Sequence, residues 1–272
     1  MVCSKLFLKG NNMNTVVKSV MLAATLLLTA GCVEQSKELY VKKDGSGTIT
    51  FTSIPTGAGA MQQLAQLPEM ANKAKEAGEE IAKLFGEGVS FKGAEVSKIN
   101  GKDALKVVFA FADVNKINFT SDPSFDPDKM DEESLTDPDK LIKIEYKNSK
   151  LTLKMQKPQA AEKVEKTPEE KAEEAQSKEM MRAMLPMFQG LKMSITVKVE
   201  GNIKKTNATY KENDKVTLIE VPVDKMLTKM FEDEKLWDSI NDIQDPIAVA
   251  EALKGVIPEL KMEKEEIINI EF

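Results

Sequence analysis

Residues 38–54 read ELYVKKDGSGTITFTSI, and this stretch decides the fold. Glu38 to Lys43 is expected to form a strand. Asp44-Gly45-Ser46-Gly47 follows, and Asp-Gly supplies the positive-φ residues of a tight turn. Thr48 to Ile54 alternates and is β-branched, as a returning strand would be. Strands joined so tightly must run antiparallel. The ordered part of the chain therefore opens on a β-hairpin.

The hairpin pattern recurs. Val89 to Ile99, with a bulge expected near Gly93, turns at Asn100-Gly101 and returns over Ala104 to Ala112, where Val107, Phe109 and Phe111 share a face. Ile142, Ile144 and Tyr146 alternate with charged residues, Asn148-Ser149 turns, and Leu151, Leu153 and Met155 return. Met193, Ile195, Val197 and Val199 alternate in a strand over Lys192 to Glu200. Gly201 to Tyr210 is a turn and short strand, Lys215 to Val223 pairs back, and Ile267 to Phe272 closes the chain.

Between hairpins the period changes. Met61, Leu64, Met70, Ala74, Ala77, Ile81, Leu84 and Phe85 recur at three- and four-residue steps, which predicts an amphipathic helix over 60–85 divided at Pro68. Thr167-Pro168-Glu169-Glu170 reads as the start of a second helix running to about Phe188. Short helices are expected near 223–231, 234–241 and 246–253. Helices in blocks, not one per strand, define an α+β class. The expected architecture is an antiparallel sheet or partial barrel built of β-hairpins, with inserted amphipathic helices on one face. It forms a single domain over 38–272, with an acidic loop at 120–140 and a charged linker at 157–167.

Ahead of that domain stands a different kind of segment. Lys5, Lys9 and Lys18 precede an apolar run from Val20 to Leu28, and Thr29-Ala30-Gly31 leads into Cys32. The run is shorter than the roughly 20 residues a membrane span requires. This resembles the bacterial lipoprotein signal. The resemblance implies removal of residues 1–31, acylation of Cys32 (palmitate-type chains) and a short tether over 32–37. Met13 begins a more conventional leader. Val33 stands where an aspartate would imply inner-membrane retention, so the pattern resembles outer-membrane sorting, facing the periplasm, if the source is Gram-negative.

Composition limits the chemistry. The chain has 38 basic and 44 acidic residues; the leader removes three lysines and no acids, leaving 35 minus 44, or −9, over 32–272. That balance disfavours nucleic acid as a partner. There is no histidine, and the only cysteine besides Cys32 is Cys3, in the leader. A Ser–His–Asp or Cys–His mechanism and an ordinary zinc site are thereby excluded from the mature protein. No catalytic residue, metal or cofactor is assigned.

Two clusters stand out. Met180, Met181, Met184, Met187 and Phe188 gather at the end of the second helix, with Leu185, Leu191 and Met193 close by. Methionine adapts to varied apolar partners, so these residues are a candidate ligand or partner surface. Helical spacing toward a core accounts for them equally, and that plainer reading carries more weight. Asp122, Asp126, Asp128, Asp131, Glu132, Glu133, Asp137 and Asp139 crowd one loop. Calcium takes six to eight oxygens, but EF-hand spacing is absent and Pro123, Pro127 and Pro138 punctuate a loop. A solvated loop is the simpler reading.

The opening strand–Asp44-Gly45-Ser46-Gly47–strand, the segment Phe109-Ala110-Phe111-Ala112-Asp113-Val114, and Gly201-Asn202-Ile203 leading to Thr206-Asn207-Ala208 and Val216-Thr217-Leu218 together resemble a family of bacterial lipoproteins that includes the LppM-type domain. The two helical insertions and the acidic loop depart from its simplest form. The resemblance implies a mixed β/α envelope domain, a hydrophobic cavity for lipid, and no enzyme. The leading functional expectation is a membrane-anchored, non-enzymatic envelope lipoprotein that binds or scaffolds near the membrane, its partners being the membrane itself through Cys32 and a lipid or envelope protein. The alternative is a carrier of lipid or another apolar small molecule, using a cavity under the Met-rich helix. A carboxylate-dependent hydrolase is the remote one.

Overall fold

The computed structural model describes residues 33–131, 135, 137, 140–155, 168–241, 243 and 246–272. Cys32, the leader and the whole 157–167 linker lie outside the described residues, as do Glu132, Glu133 and Asp139.

The opening hairpin forms as expected and sits at the centre of the larger sheet. β1 (Val33–Val41) pairs antiparallel with β2 (Gly47–Pro55) in full register, from Val33 opposite Pro55 to Val41 opposite Gly47. β2 pairs in turn with β4 (Lys102–Phe111), and β4 with the edge strand β3 (Val89–Ile99). A register shift between Phe91 and Gly93 is the bulge expected there. Gly45 adopts φ 84° at the first turn. A Cβ on it would lie 3.2 Å from the Tyr146 ring, whose hydroxyl donates to the Lys43 carbonyl at 2.8 Å. The turn is therefore clasped from the second sheet.

On its other side β1 meets β8 (Lys192–Val199), and this pairing is parallel, Leu39 opposite Val197. The sheet thus departs from pure antiparallel hairpin stacking, because residues 42–191 intervene between the two partners. β11 (Lys215–Pro222) pairs antiparallel with β8, and the two-residue β10 (Lys211–Glu212) and β12 (Lys261–Met262) flank it. The second sheet has the order β5 (Phe119–Thr120), β6 (Leu141–Lys147), β7 (Lys150–Lys154), β13 (Ile267–Glu271) and β9 (Lys205–Thr206). Asn207 fastens its edge: its amide donates to the Ile267 carbonyl at 2.8 Å and its Oδ1 accepts from Asn269 N–H at 2.7 Å. Neither sheet of the described residues closes on itself. The class is α+β as expected, with two open sheets of mostly antiparallel strands.

Strand β1 also corrects the tether. Residues 33–37 are its first half, with Val33, Gln35, Lys37, Leu39 and Val41 all buried on one side. Gln35 and Lys37 interrupt the apolar alternation, so the sequence pattern alone places the strand's start five residues late.

Five helices complete the described residues. α1 (Ala60–Leu84) is continuous through Pro68. Pro68 is exposed, and the helix runs through it despite the one backbone donor it removes. Its buried face is Gln63, Leu67, Ala71, Ala74, Gly78, Ile81 and Ala82, rotated from the expected stripe; Met61 is 83% exposed. Small residues do this. Gly78 lets the helix approach β3 so closely that a Cβ there would stand 2.5 Å from the Phe91 ring. α2 (Pro168–Ala183) ends before Pro186, and Leu185–Phe188 continues as a single 3-10 turn, shorter than the helix expected to Phe188. α3 (Val223–Glu232), α4 (Glu234–Asn241) and α5 (Pro246–Lys254) fall within a residue of expectation.

Two apolar clusters result. The larger lies inside the main sheet, under α1 and the second sheet, and includes Leu39, Phe51, Phe109, Ile142, Leu153, Val197 and Ile270. The smaller gathers Val33, Met181, Phe188 and Leu191 with Met226, Phe231, Trp237 and Leu253 of the later helices.

Candidate functional site

The methionine cluster does not form one surface. Met181 (8% exposed) and Phe188 (2%) are buried in the smaller cluster, and Met184 packs against it. Met180 (44%) and Met187 (41%) are exposed. The split falls across two elements: within α2 Met181 faces the cluster and its neighbour Met180 turns outward, and in the 3-10 turn that follows Phe188 faces inward while Met187 does not. Replacing Met181 with alanine should cost about 2 kcal/mol, the ordinary loss for a buried methionine. Met180→Ala should change stability by less than about 0.5 kcal/mol. Urea unfolding of the two variants checks the assignment, and equal losses would refute it.

The acidic loop is anchored rather than free. Phe125 and Leu135 are each 3% exposed and belong to the larger cluster. Asp122 accepts from Ser124 N–H at 2.9 Å, Asp126 accepts from Asp128 N–H at 3.1 Å and pairs with Lys129, Asp128 pairs with Lys73 of α1 at 3.0 Å, and Asp137 with Lys140 at 3.6 Å. These carboxylates cap local turns and make exposed ion pairs, each worth little. Among the described residues no group of three or more histidines, cysteines, aspartates or glutamates is placed to hold a metal ion.

The loop also carries the partner of the most unusual side chain in the protein. Lys37 is 1% exposed. Its ammonium donates to the Thr120 carbonyl at 3.0 Å, to Thr120 Oγ1 at 2.9 Å and to the Asp122 carbonyl at 3.3 Å. It also lies 4.6 Å from the centre of the Phe119 ring and 5.3 Å from that of Phe51, within cation–π range. Burial lowers its pKa from 10.5 to about 7, and the Asp122 charge opposes that only in part. Lys37 fastens β1 to β5 and to the head of the acidic loop. Sequence reasoning missed it by assigning residue 37 to the tether; the signal was a lysine in phase with Leu39 and Val41.

An open cleft of about 470 Å³ lies on the second sheet, beside the Asn148-Ser149 turn, Lys204, Glu271 and Phe272. Lysine and glutamate line much of it, and it is remote in the sequence from the Met-rich helix. Glu220 makes two ion pairs, with Lys192 at 2.6 Å and Lys261 at 3.0 Å. It is buried enough that desolvation opposes its ionisation, but those two lysines outweigh burial and keep its pKa below the usual carboxylate value. This network ties β8, β11 and β12 together.

No protein-family model matches the chain, and no curated protein does. Among solved structures it is similar to the folded domain of LppM from Mycobacterium tuberculosis, at 9% identity, covering 70% of this chain and 82% of that one, with a TM-score of 0.26. A likeness at that level defines neither fold nor function.

Proposed function

We propose that this protein is a membrane-anchored envelope lipoprotein, acylated on Cys32, that binds or scaffolds near the membrane and performs no catalysis. The observation that carries this reading is the basic, apolar leader running through Thr29-Ala30-Gly31 into Cys32. One acyl chain gives only marginal membrane binding, and two or more give a stable anchor. No described helix is long and apolar enough to cross a membrane, which is consistent with attachment by lipid. The absence of histidine and of a second mature cysteine supports a non-enzymatic role. The burial of Met181 and Phe188 favours binding at a surface over carriage in a cavity, since those side chains fill a core.

The test is the mass of the amino-terminal peptide of the mature protein. It should begin at Cys32 and carry acyl chains, and Cys32→Ser should abolish acyl labelling completely. A native peptide without acyl mass would refute the proposal. A native mass spectrum of the intact protein separates binder from carrier: a reproducible lipid mass lost on delipidation would move the assignment to the carrier.

A further inference from the structure

The chain leaves the fold with no slack. Val33 is the first residue of β1, is itself buried, and pairs with Pro55. One residue of extended backbone spans no more than about 3.6 Å. An acyl anchor on Cys32 would therefore hold the Val33 end of the domain against the headgroups, whatever that end is made of.

Two segments stand at that end beside the β3–β4 turn (Ile99–Lys102) and the start of α3, where Pro222 pairs with Lys192 and Asp224 accepts from Gly190 N–H at 3.0 Å. The first follows β2 directly: Thr56-Gly57-Ala58-Gly59 and the start of α1 at Ala60 and Met61. The second is the 3-10 turn Leu185–Phe188 with Gln189 and Gly190, which leads into β8 where Met193 lies opposite Gln35. They touch. A Cβ on Gly57 would stand 2.6 Å from the Met187 carbonyl, and one on Gly190 would stand 3.3 Å from Thr56 Cβ.

Their composition is distinctive. The chain is 30% charged, yet no charged residue falls between Asp44 and Glu69, and none between Arg182 and Lys192. Both segments are thus neutral themselves, and the charges that flank the second are satisfied, Asp224 by Gly190 N–H and Lys192 by Glu220. Met61, 83% exposed, and Met187, 41% exposed, project from them. A core has no use for these two side chains, and a solvated loop in so charged a chain would ordinarily carry lysine or glutamate. Neutrality has a physical use here: a net-negative domain is repelled by anionic lipid, and a lip without charge can approach it without like-charge repulsion. Methionine is flexible and apolar enough to enter the irregular region between headgroups and acyl chains.

We infer that this end of the domain, residues 56–61 with residues 185–190, is a neutral lip that rests on the lipid bilayer beside Cys32 and inserts Met61 and Met187 into its interface. The inference rests on the acylation of Cys32 proposed above. The domain then stands in one orientation on the membrane, with the Asp44-Gly45-Ser46 turn at the far end of the same hairpin pointing away.

The mature, lipid-bearing protein reconstituted in phosphatidylethanolamine–phosphatidylglycerol vesicles provides the test. Met61→Cys, Met187→Cys and Ser46→Cys each introduce the one free thiol of an acylated chain, and each would carry a nitroxide. Collisions with oxygen, which concentrates in lipid, should exceed collisions with a water-soluble nickel chelate several-fold at 61 and 187, and the ratio should invert at 46. If positions 61 and 187 behave like 46 while the amino-terminal peptide still carries its acyl mass, the lip is refuted and the anchor stands. If that peptide carries no acyl mass, both readings fall together.

Discussion

Phe109→Ala is expected to lower the unfolding free energy by about 4 kcal/mol, within the range measured for buried phenylalanines. Phe109 is fully buried on β4. Its ring centre lies 4.9 Å from Phe85, 5.6 Å from Phe91, 6.1 Å from Phe125 and 6.3 Å, edge-on, from Phe51. Those four belong to the end of α1, to β3, to the acidic loop and to β2. Truncation would remove the transfer energy of one ring and the contacts of four others, from elements that cannot collapse together because the sheet fixes two of them. Urea unfolding measures it, with a shifted midpoint and an unchanged slope. A loss below about 1 kcal/mol would mean the cluster is not packed as described.

The second large effect is a pH dependence. Lys37 has an ordinary pKa of 10.5 in the unfolded chain and about 7 in the fold, lowered by burial. Above pH 10.5 the amine is neutral in both states and contributes no penalty. As the pH falls below 10.5 the unfolded chain takes up a proton that the folded chain resists, so stability declines until about pH 7, where the folded protein also protonates. Between those limits the native protein should lose about 1.4 kcal/mol for each unit of pH, reaching roughly 5 kcal/mol across the window. Lys37→Met keeps the length and removes the proton. It also leaves the Thr120 carbonyl without this donor, a cost that does not vary with pH. The comparison to make is therefore the slope: urea unfolding at pH 7.5, 8.5 and 9.5 should show native stability rising relative to the variant by about 1.4 kcal/mol per unit. Parallel curves would show that Lys37 retains an ordinary pKa.

Both predictions fall on residues whose surroundings differ in how far the sequence discloses them. Phe109 was placed with Val107 and Phe111 on one face from alternation alone, because a strand's side chains obey a period of two whatever else the chain does. The turns were equally plain. Asn100 and Gly101 take φ 51° and 80°, and Asn148 and Ser149 take 54° and 60°, values that those residue types and positions between alternating runs announce. The three short helices from Val223 onward carried their period in ten residues or fewer.

Lys37 was hidden because its environment is made by residues 83 and more positions away: Thr120 and Asp122. A lysine at the start of a chain segment reads as solvated until something distant covers it. The methionines were half legible. Their spacing told of a helix, but which of them face the core depends on α3 and α4, whose Met226, Phe231 and Trp237 complete the cluster.

What the sequence determined by itself is local: the hairpins with their turn residues, the helices with their periods, and the α+β class. These follow from steric limits on φ and ψ and from side-chain periodicity, which act within a few residues. The tertiary structure alone decided the parallel pairing of β1 with β8, the division into two open sheets, the burial of Lys37, and the meeting of the two neutral segments beside Val33. Each of those joins residues separated by tens to more than a hundred positions, and such contacts are chosen by the burial of whole faces, a sum over the complete fold that no short window of sequence contains.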